Sequence, residues 1–180
     1  MTQIASVTQA CIAAFRAGNK VILAGNGGSA ADAQHIAAEF VSRFNFDRPG
    51  LPSIALSTDT SMITAISNDY GYEQLFRRQI EANGKAGDVF IGISTSGRSK
   101  NVLLAVEECR RLGIVTVGLT GMNGKDLECC DHCIKVPSKE TPRIQEAHIL
   151  IGHAICAAVE EALFGANIQD VKPLKAVARP

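Results

Sequence analysis

Two kinds of hydrophobic pattern alternate along the chain. Short, continuous apolar runs fall at 20–24, 53–56, 88–93, 114–119 and 133–136. Continuous rather than alternating hydrophobicity predicts strands buried on both faces. Between them, apolar residues at helical spacing predict helices over 29–44, 72–84, 99–112 and 143–164. At the start, Ile4, Val7, Ala10, Cys11, Ala14 and Phe15 predict an amphipathic leader helix over 3–17, which must cover something, a partner subunit among the options. Strands alternating with helices predict an α/β fold, a doubly wound parallel five-stranded sheet with right-handed crossovers. No internal repeat, linker or low-complexity tract divides the 180 residues, so 1–180 reads as a single domain.

Composition narrows the ligand class. Eighteen basic and eighteen acidic residues cancel, which leaves no electrostatic footprint for nucleic acid and no polybasic patch for a membrane surface. Asp, Glu, Lys or Arg interrupts each apolar run before it reaches membrane-spanning length. The first residues show neither a basic n-region nor an apolar h-region, so the expectation is a cytoplasmic protein whose six cysteines are reduced. Cys130 and Cys133 form a C-x-x-C, but no second pair stands at zinc-ribbon distance, and ordinary buried or edge thiols are expected.

In an open parallel sheet, ligands sit beyond the carboxyl ends of the strands. Two turns fall there. Gly25-Asn26-Gly27-Gly28-Ser29 follows the first strand; it is neither a dinucleotide fingerprint, since Ala30 holds the third glycine position, nor a nucleotide-hydrolase loop, which needs Gly-Lys-Ser or Gly-Lys-Thr. A tight turn with Ser29 as cap would also let backbone N–H groups face an anion. Ser94-Thr95-Ser96-Gly97-Arg98-Ser99 follows the third strand, and its hydroxyls, turn glycine and helix N-terminus suit a phosphate. The alternative is a simple helix cap by Ser96 or Ser99.

Four residues apart, His35 and Glu39 project from one helix face, where a substrate or a metal ion could meet both, or where they form only a solvated pair. A carboxylate beside an imidazole is the minimum equipment for moving a proton next to a carbonyl. His153 has Gln145 two turns back, but eight residues of helix rise about 12 Å, so one chain does not easily converge both on one ion. If both serve one site, it is shared between subunits. His148 reads as a core or interface histidine and His132 as incidental, while Asn68-Asp69 reads as turn chemistry.

Together, 25–29, His35 with Glu39, 68–72, 92–99 and Arg143-Ile144-Gln145-Glu146 with His153 resemble the sugar isomerase (SIS) domain family, in particular its branch that isomerises heptose phosphates. The resemblance covers nearly the whole chain in the expected order. It implies a flavodoxin-like, cytoplasmic homotetramer with sites shared between subunits. The implied reaction converts D-sedoheptulose 7-phosphate to D-glycero-D-manno-heptose 7-phosphate through a cis-enediol, the first step toward bacterial heptose units. Glu39 and His153 would be catalytic, and zinc would be held by His35, Glu39, Gln145 and His153. Substrate would meet Asn26, Gly27, Gly28, Glu39, Asn68, Asp69, Ser94, Thr95, Ser96, Ser99 and Gln145. Alternatives within the family are a non-catalytic protein associated with a replication initiator and a sugar-phosphate-sensing regulator; Glu39 and His153 favour the isomerase. Pro142 stands where some of these isomerases carry Asp, so no role of that Asp carries over.

Overall fold

The computed structural model describes residues 2–165; residues 166–180, which the single-domain expectation includes, lie outside the described residues. Five parallel strands, β1 (Val21–Gly25), β2 (Ser53–Ala55), β3 (Val89–Ile93), β4 (Val115–Gly121) and β5 (His132–Val136), form one sheet in the order β2-β1-β3-β4-β5. This is the flavodoxin-like order, in which the direction of winding reverses between β1 and β3. Each strand lies within two residues of its expected place. Every residue of β1 and β3 is buried, as their unbroken hydrophobicity requires.

Side chains alternate across the sheet and divide the core in two. Val21, Leu23, Val89, Ile91 and Val117 pack under α1 (Gln3–Arg16), α2 (Gly28–Val41) and α6 (Thr141–Phe164). Ile22, Ala24 and Phe90 pack under α4 (Leu75–Asn83) and α5 (Lys100–Leu112). The leader helix therefore buries Val7, Cys11, Ile12 and Ala14 within its own chain.

Three features depart from expectation. First, α2 ends at Val41 instead of 44, because the backbone N–H groups of Phe44, Asn45 and Phe46 turn inward to the carboxylate of Glu160. Second, 60–70 forms a helix, α3 (Thr60–Tyr70), where turn chemistry was expected. Asp59 caps it by accepting from the Met62 N–H at 2.9 Å, and Gly71, at φ 89°, ends it; Asn68 and Asp69 occupy its last turn. None of its residues is buried, although Ile63 and Ile66 lean on the second core. Third, α6 contains a stretch of mean hydropathy 1.4 and is, by length and composition, long and apolar enough to cross a membrane, contrary to the expectation from interrupted runs. In this fold it packs between α1 and α2 and buries Ile144, Ile155, Cys156 and Val159. The thiols follow expectation: all six are free, and burial pushes Cys130 up to about 12.

Candidate active site

The implied site residues fall into three groups. The first lies between α2 and α6, which run side by side in the same direction. Gly152 permits their close approach, since a Cβ there would stand 2.4 Å from Cδ1 of Ile36. One residue further along α6, His153 places Nε2 3.2 Å from Nε2 of His35, whose Nε2 is in turn 3.2 Å from Oε1 of Glu39. Phe44 packs on the His153 ring at 5.5 Å between centroids. One donor atom from each of His35, Glu39 and His153 lies within 4.8 Å of the others, so the triad can hold a metal ion. The fit is good: donors about 2.1 Å from a tetrahedral ion stand roughly 3.4 Å apart, close to the two separations of 3.2 Å. Three protein donors leave a fourth position of a tetrahedral ion for a ligand from outside the triad. One turn before His35, Asp32 has a buried, unpartnered Oδ2; burial raises its pKa, and the nearby His35 partly offsets this.

A buried clasp fixes the helix ends that carry this triad. The Arg48 guanidinium donates to Oε2 of Glu160 at 2.9 Å and to the carbonyls of Glu39 and Phe40, at 2.8 and 2.6 Å, which the end of α2 leaves open. Glu160, two turns beyond His153 on α6, receives the three N–H groups named above. Burial alone would raise the pKa of Glu160, but these donors and the Arg48 guanidinium outweigh it and hold the carboxyl below its ordinary range. Sequence reading missed both residues, because 112 positions separate them and no local pattern links them.

The second group sits at the switch point. Gly27, at φ 56°, is the N-cap of α2, and no side chain caps this end; Ser29, expected as the cap, is instead buried inside the first turn. Gln145 crosses to this turn from α6: a Cβ on Gly28 would lie 2.2 Å from its Nε2. Gln145 therefore stands at the level of Gly28, about 12 Å along α6 from His153, and the described chain brings three of the four implied metal ligands together. Asn26 faces across the switch point to Asn101 of α5. Each amide donates to the other's carbonyl oxygen at 2.9 Å, and the Tyr72 hydroxyl donates to Oδ1 of Asn26 at 2.9 Å. The sequence reading gave neither Asn101 nor Tyr72 a site role, although Tyr72 lies in the 68–72 segment of the family resemblance. The available signal was position, because Asn101 opens a helix at the strand end beside the Gly turn.

The third group is 94–99. Ser99 is the N-cap residue of α5 but makes no side-chain cap; its hydroxyl lies 2.8 Å from that of Ser94. The capping alternative is thus not the use this structure makes of it, and the first turn of α5 keeps N–H groups open toward a ligand. Gly97, at φ 70°, packs so tightly on the β4 loop that a Cβ would stand 2.4 Å from Cα of Gly124. Beside this contact is a cavity of about 230 Å³ lined by Thr95, Ser96, Arg98, Asn123, Ser138, Lys139 and Thr141, with Met122 and Ile144. Asn68 and Asp69 join none of these groups through a hydrogen bond in the described residues; they pair with each other at 2.8 Å on exposed α3. His148 is core, as expected, with burial holding it below the ordinary imidazole range against a weaker opposing interaction with the Thr120 backbone.

Comparison with known proteins identifies the family. The SIS domain profile matches residues 1–121. The phosphoheptose isomerase of Aneurinibacillus thermoaerophilus is 66% identical over 170 residues, 94% of this chain and 86% of that protein. Phosphoheptose isomerase 2 of Campylobacter jejuni is 66% identical over 166 residues, 92% of this chain and 83% of that protein. Among solved structures, a phosphoheptose isomerase from Francisella tularensis superposes with a TM-score of 0.85 at 39% identity, over 88% of this chain and 85% of the other. The chain belongs to the SIS domain family and, within it, to the phosphoheptose isomerases.

Proposed function

We propose that this protein is an aldose–ketose isomerase that converts D-sedoheptulose 7-phosphate to D-glycero-D-manno-heptose 7-phosphate, in the cytoplasm, at the entry to heptose synthesis for surface glycans. The observation that carries the reading is the convergence of Glu39 with His35 and His153, in a chain two-thirds identical to named phosphoheptose isomerases.

The substrate phosphate is received by the hydroxyls and open N–H groups of 94–99, with Asn26, Gly27, Gly28 and Gln145 orienting the polyol and Asn68 and Asp69 contributing from α3. Glu39 removes a proton from C1 of the ketose to give a cis-enediol and returns it to C2. His153 moves the second proton between O1 and O2, so no external oxidant or reductant is needed. The resident ion is proposed to be zinc, held by His35, Glu39 and His153 with Gln145 as the fourth ligand; when bound it supplies Lewis-acid stabilisation of charge developing on the sugar oxygens.

A homotetramer with shared sites supports this chemistry. Within one chain, Gln145 sits about 12 Å along α6 from His153 and Gly28 about 10 Å along α2 from His35, and a second copy can bring a triad to the switch point of the first. Exposed Leu150 and the groove where Ala154, Ala158 and Ala162 meet Ile4 and Ile12 of α1 offer apolar surface for such contacts.

The test is NMR-monitored conversion of sedoheptulose 7-phosphate in deuterium oxide, before and after chelation and zinc return, for the wild type and Glu39→Gln. The expected outcome is aldoheptose 7-phosphate with deuterium at C2, loss of at least about 10³-fold in kcat for Glu39→Gln with folding unchanged, and recovery of chelated enzyme by zinc. No conversion by the wild type under any condition overturns the reading.

A further inference from the structure

We propose that Arg98 and Lys139 form the cationic half of a phosphate site in the cavity bounded by the loops that follow β3, β4 and β5. The argument starts from charge. The cavity wall carries two cations and no carboxylate, in a chain whose overall charge is zero. Arg98 and Lys139 come from separate loops, 94–99 and 137–140, yet line the same space. Among the described residues, neither has a carboxylate within 4.0 Å, a state they share with Arg16, Arg43, Lys85, Arg110 and Lys125; what sets the two apart is that they line one hollow together with hydroxyls and no carboxylate. Two cations lining one hollow without a carboxylate give it a positive potential that favours an anion.

The remaining wall suits a phosphate. Thr95, Ser96, Ser138 and Thr141 present hydroxyls, which can donate to phosphate oxygens. The Ser96 hydroxyl already accepts the Arg98 N–H at 3.2 Å, leaving its own hydrogen free to donate outward. The Gly97–Gly124 contact holds the loops after β3 and β4 together, and the Met122 N–H donating to the Ser138 carbonyl at 3.0 Å joins the loop after β5, so the wall is present before any ligand arrives. Guanidinium supplies a fork for two oxygens, and the ammonium adds a point charge from the other side. An anion joined to a sugar and a free phosphate ion present the same chemistry to this wall. Identifying the carrier as the heptose phosphate rests on the isomerase reading; the site itself does not.

The test uses the full-length wild type with Arg98→Gln, Lys139→Gln and the double variant. Both side chains are exposed, so folding is expected to survive, and thermal melts check this. Calorimetric titration with inorganic phosphate should show Kd rising about tenfold per charge removed, and a shallower loss of affinity with added salt. In turnover of sedoheptulose 7-phosphate, KM should rise by a similar factor while kcat changes less, the pattern of lost ground-state binding. Two results overturn the proposal: phosphate affinity unchanged in the double variant, or no phosphate binding by the wild type together with unchanged KM. If the wild type binds phosphate through these residues but does not isomerise, the isomerase reading falls and this site stands. If it isomerises with the same KM in all four proteins and the wild type binds no phosphate, this site falls and the isomerase reading stands.

Discussion

Helices α2 and α3 both carry residues implied in the site, but they are held in opposite ways. Five residues of α2 are buried, its open carbonyls are taken by Arg48, and its C-terminal turn is tied to α6 through Glu160. No residue of α3 is buried, and beyond its partly buried isoleucines the segment is linked to the switch point by Tyr72 on Asn26 and by the ion pair of Glu73 with Lys100. His35 and Glu39, which meet His153 of α6 in the triad, sit on the clamped helix. Asn68 and Asp69, proposed above to contact the substrate, sit on the loosely held one. On the proposed roles, local stability would follow the precision each task requires.

The largest break in this contrast comes from the clasp. Glu160→Gln leaves the buried Arg48 guanidinium without its counter-charge, which typically costs about 3–5 kcal/mol. Denaturant unfolding should show a loss of that size, with turnover falling as the triad loosens, and chelation should strip metal from the variant more readily. The pH dependence gives an independent sign. A carboxyl whose pKa is lower in the folded than in the unfolded state stabilises the fold above the unfolded value and loses that contribution as pH falls through the folded one. The wild type should therefore lose stability steeply on the acid side of the ordinary carboxylate range, and Glu160→Gln should flatten that limb. An unchanged acid limb would show that Glu160 is not held charged by this network.

The clasp also marks where sequence reading stops. Strand positions, the parallel topology and the two turns at the carboxyl ends of β1 and β3 were legible, because they depend on local hydrophobic runs and on glycine and serine at strand ends. His35 and Glu39 were legible because a helix places residues four apart on one face. The meeting of His35 with His153 came only from the family resemblance, since helix spacing says nothing about which helices lie side by side. Helix α3 was missed for a different reason: Asn68 and Asp69 favour turns, and without a buried face its apolar periodicity is weak. Asp59 as N-cap, with Ile63 and Ile66 three apart and Gly71 at the end, was the signal available.

A middle-sized effect tests the switch point. Asn101 is buried, exchanges two hydrogen bonds with Asn26 and accepts the Val102 N–H at 3.0 Å. Asn101→Ala leaves the Asn26 Nδ2 without its partner, while Asn26 Oδ1 keeps the Tyr72 hydroxyl and the Val102 N–H keeps the Ser99 carbonyl, at a cost of about 1–3 kcal/mol. A double-mutant cycle with Asn26→Ala should return a coupling close to the single losses, since each amide's main partner is the other. Additive losses would mean that water replaces either amide freely, and that the pair does not align the Gly turn with α5.

The smallest effect discriminates most finely between the two helices. Tyr72→Phe removes one exposed hydroxyl that donates to Asn26, and water can replace it, so global stability should change by no more than about 0.5 kcal/mol. Its consequence should appear locally, because this hydroxyl is one of the few ties between the α3 segment and the switch point. Amide hydrogen exchange should accelerate across Thr60–Tyr70 and leave α2 unchanged. Equal acceleration in both helices would mean that α3 and α2 open together and that the contrast between them is one of burial alone. Unchanged exchange in α3 would assign its anchoring to Ile63, Ile66 and the Glu73–Lys100 pair. In the expected case, bound substrate should restore the slowed exchange of α3 in the variant, because Asn68 and Asp69 then gain a partner that replaces the missing tie.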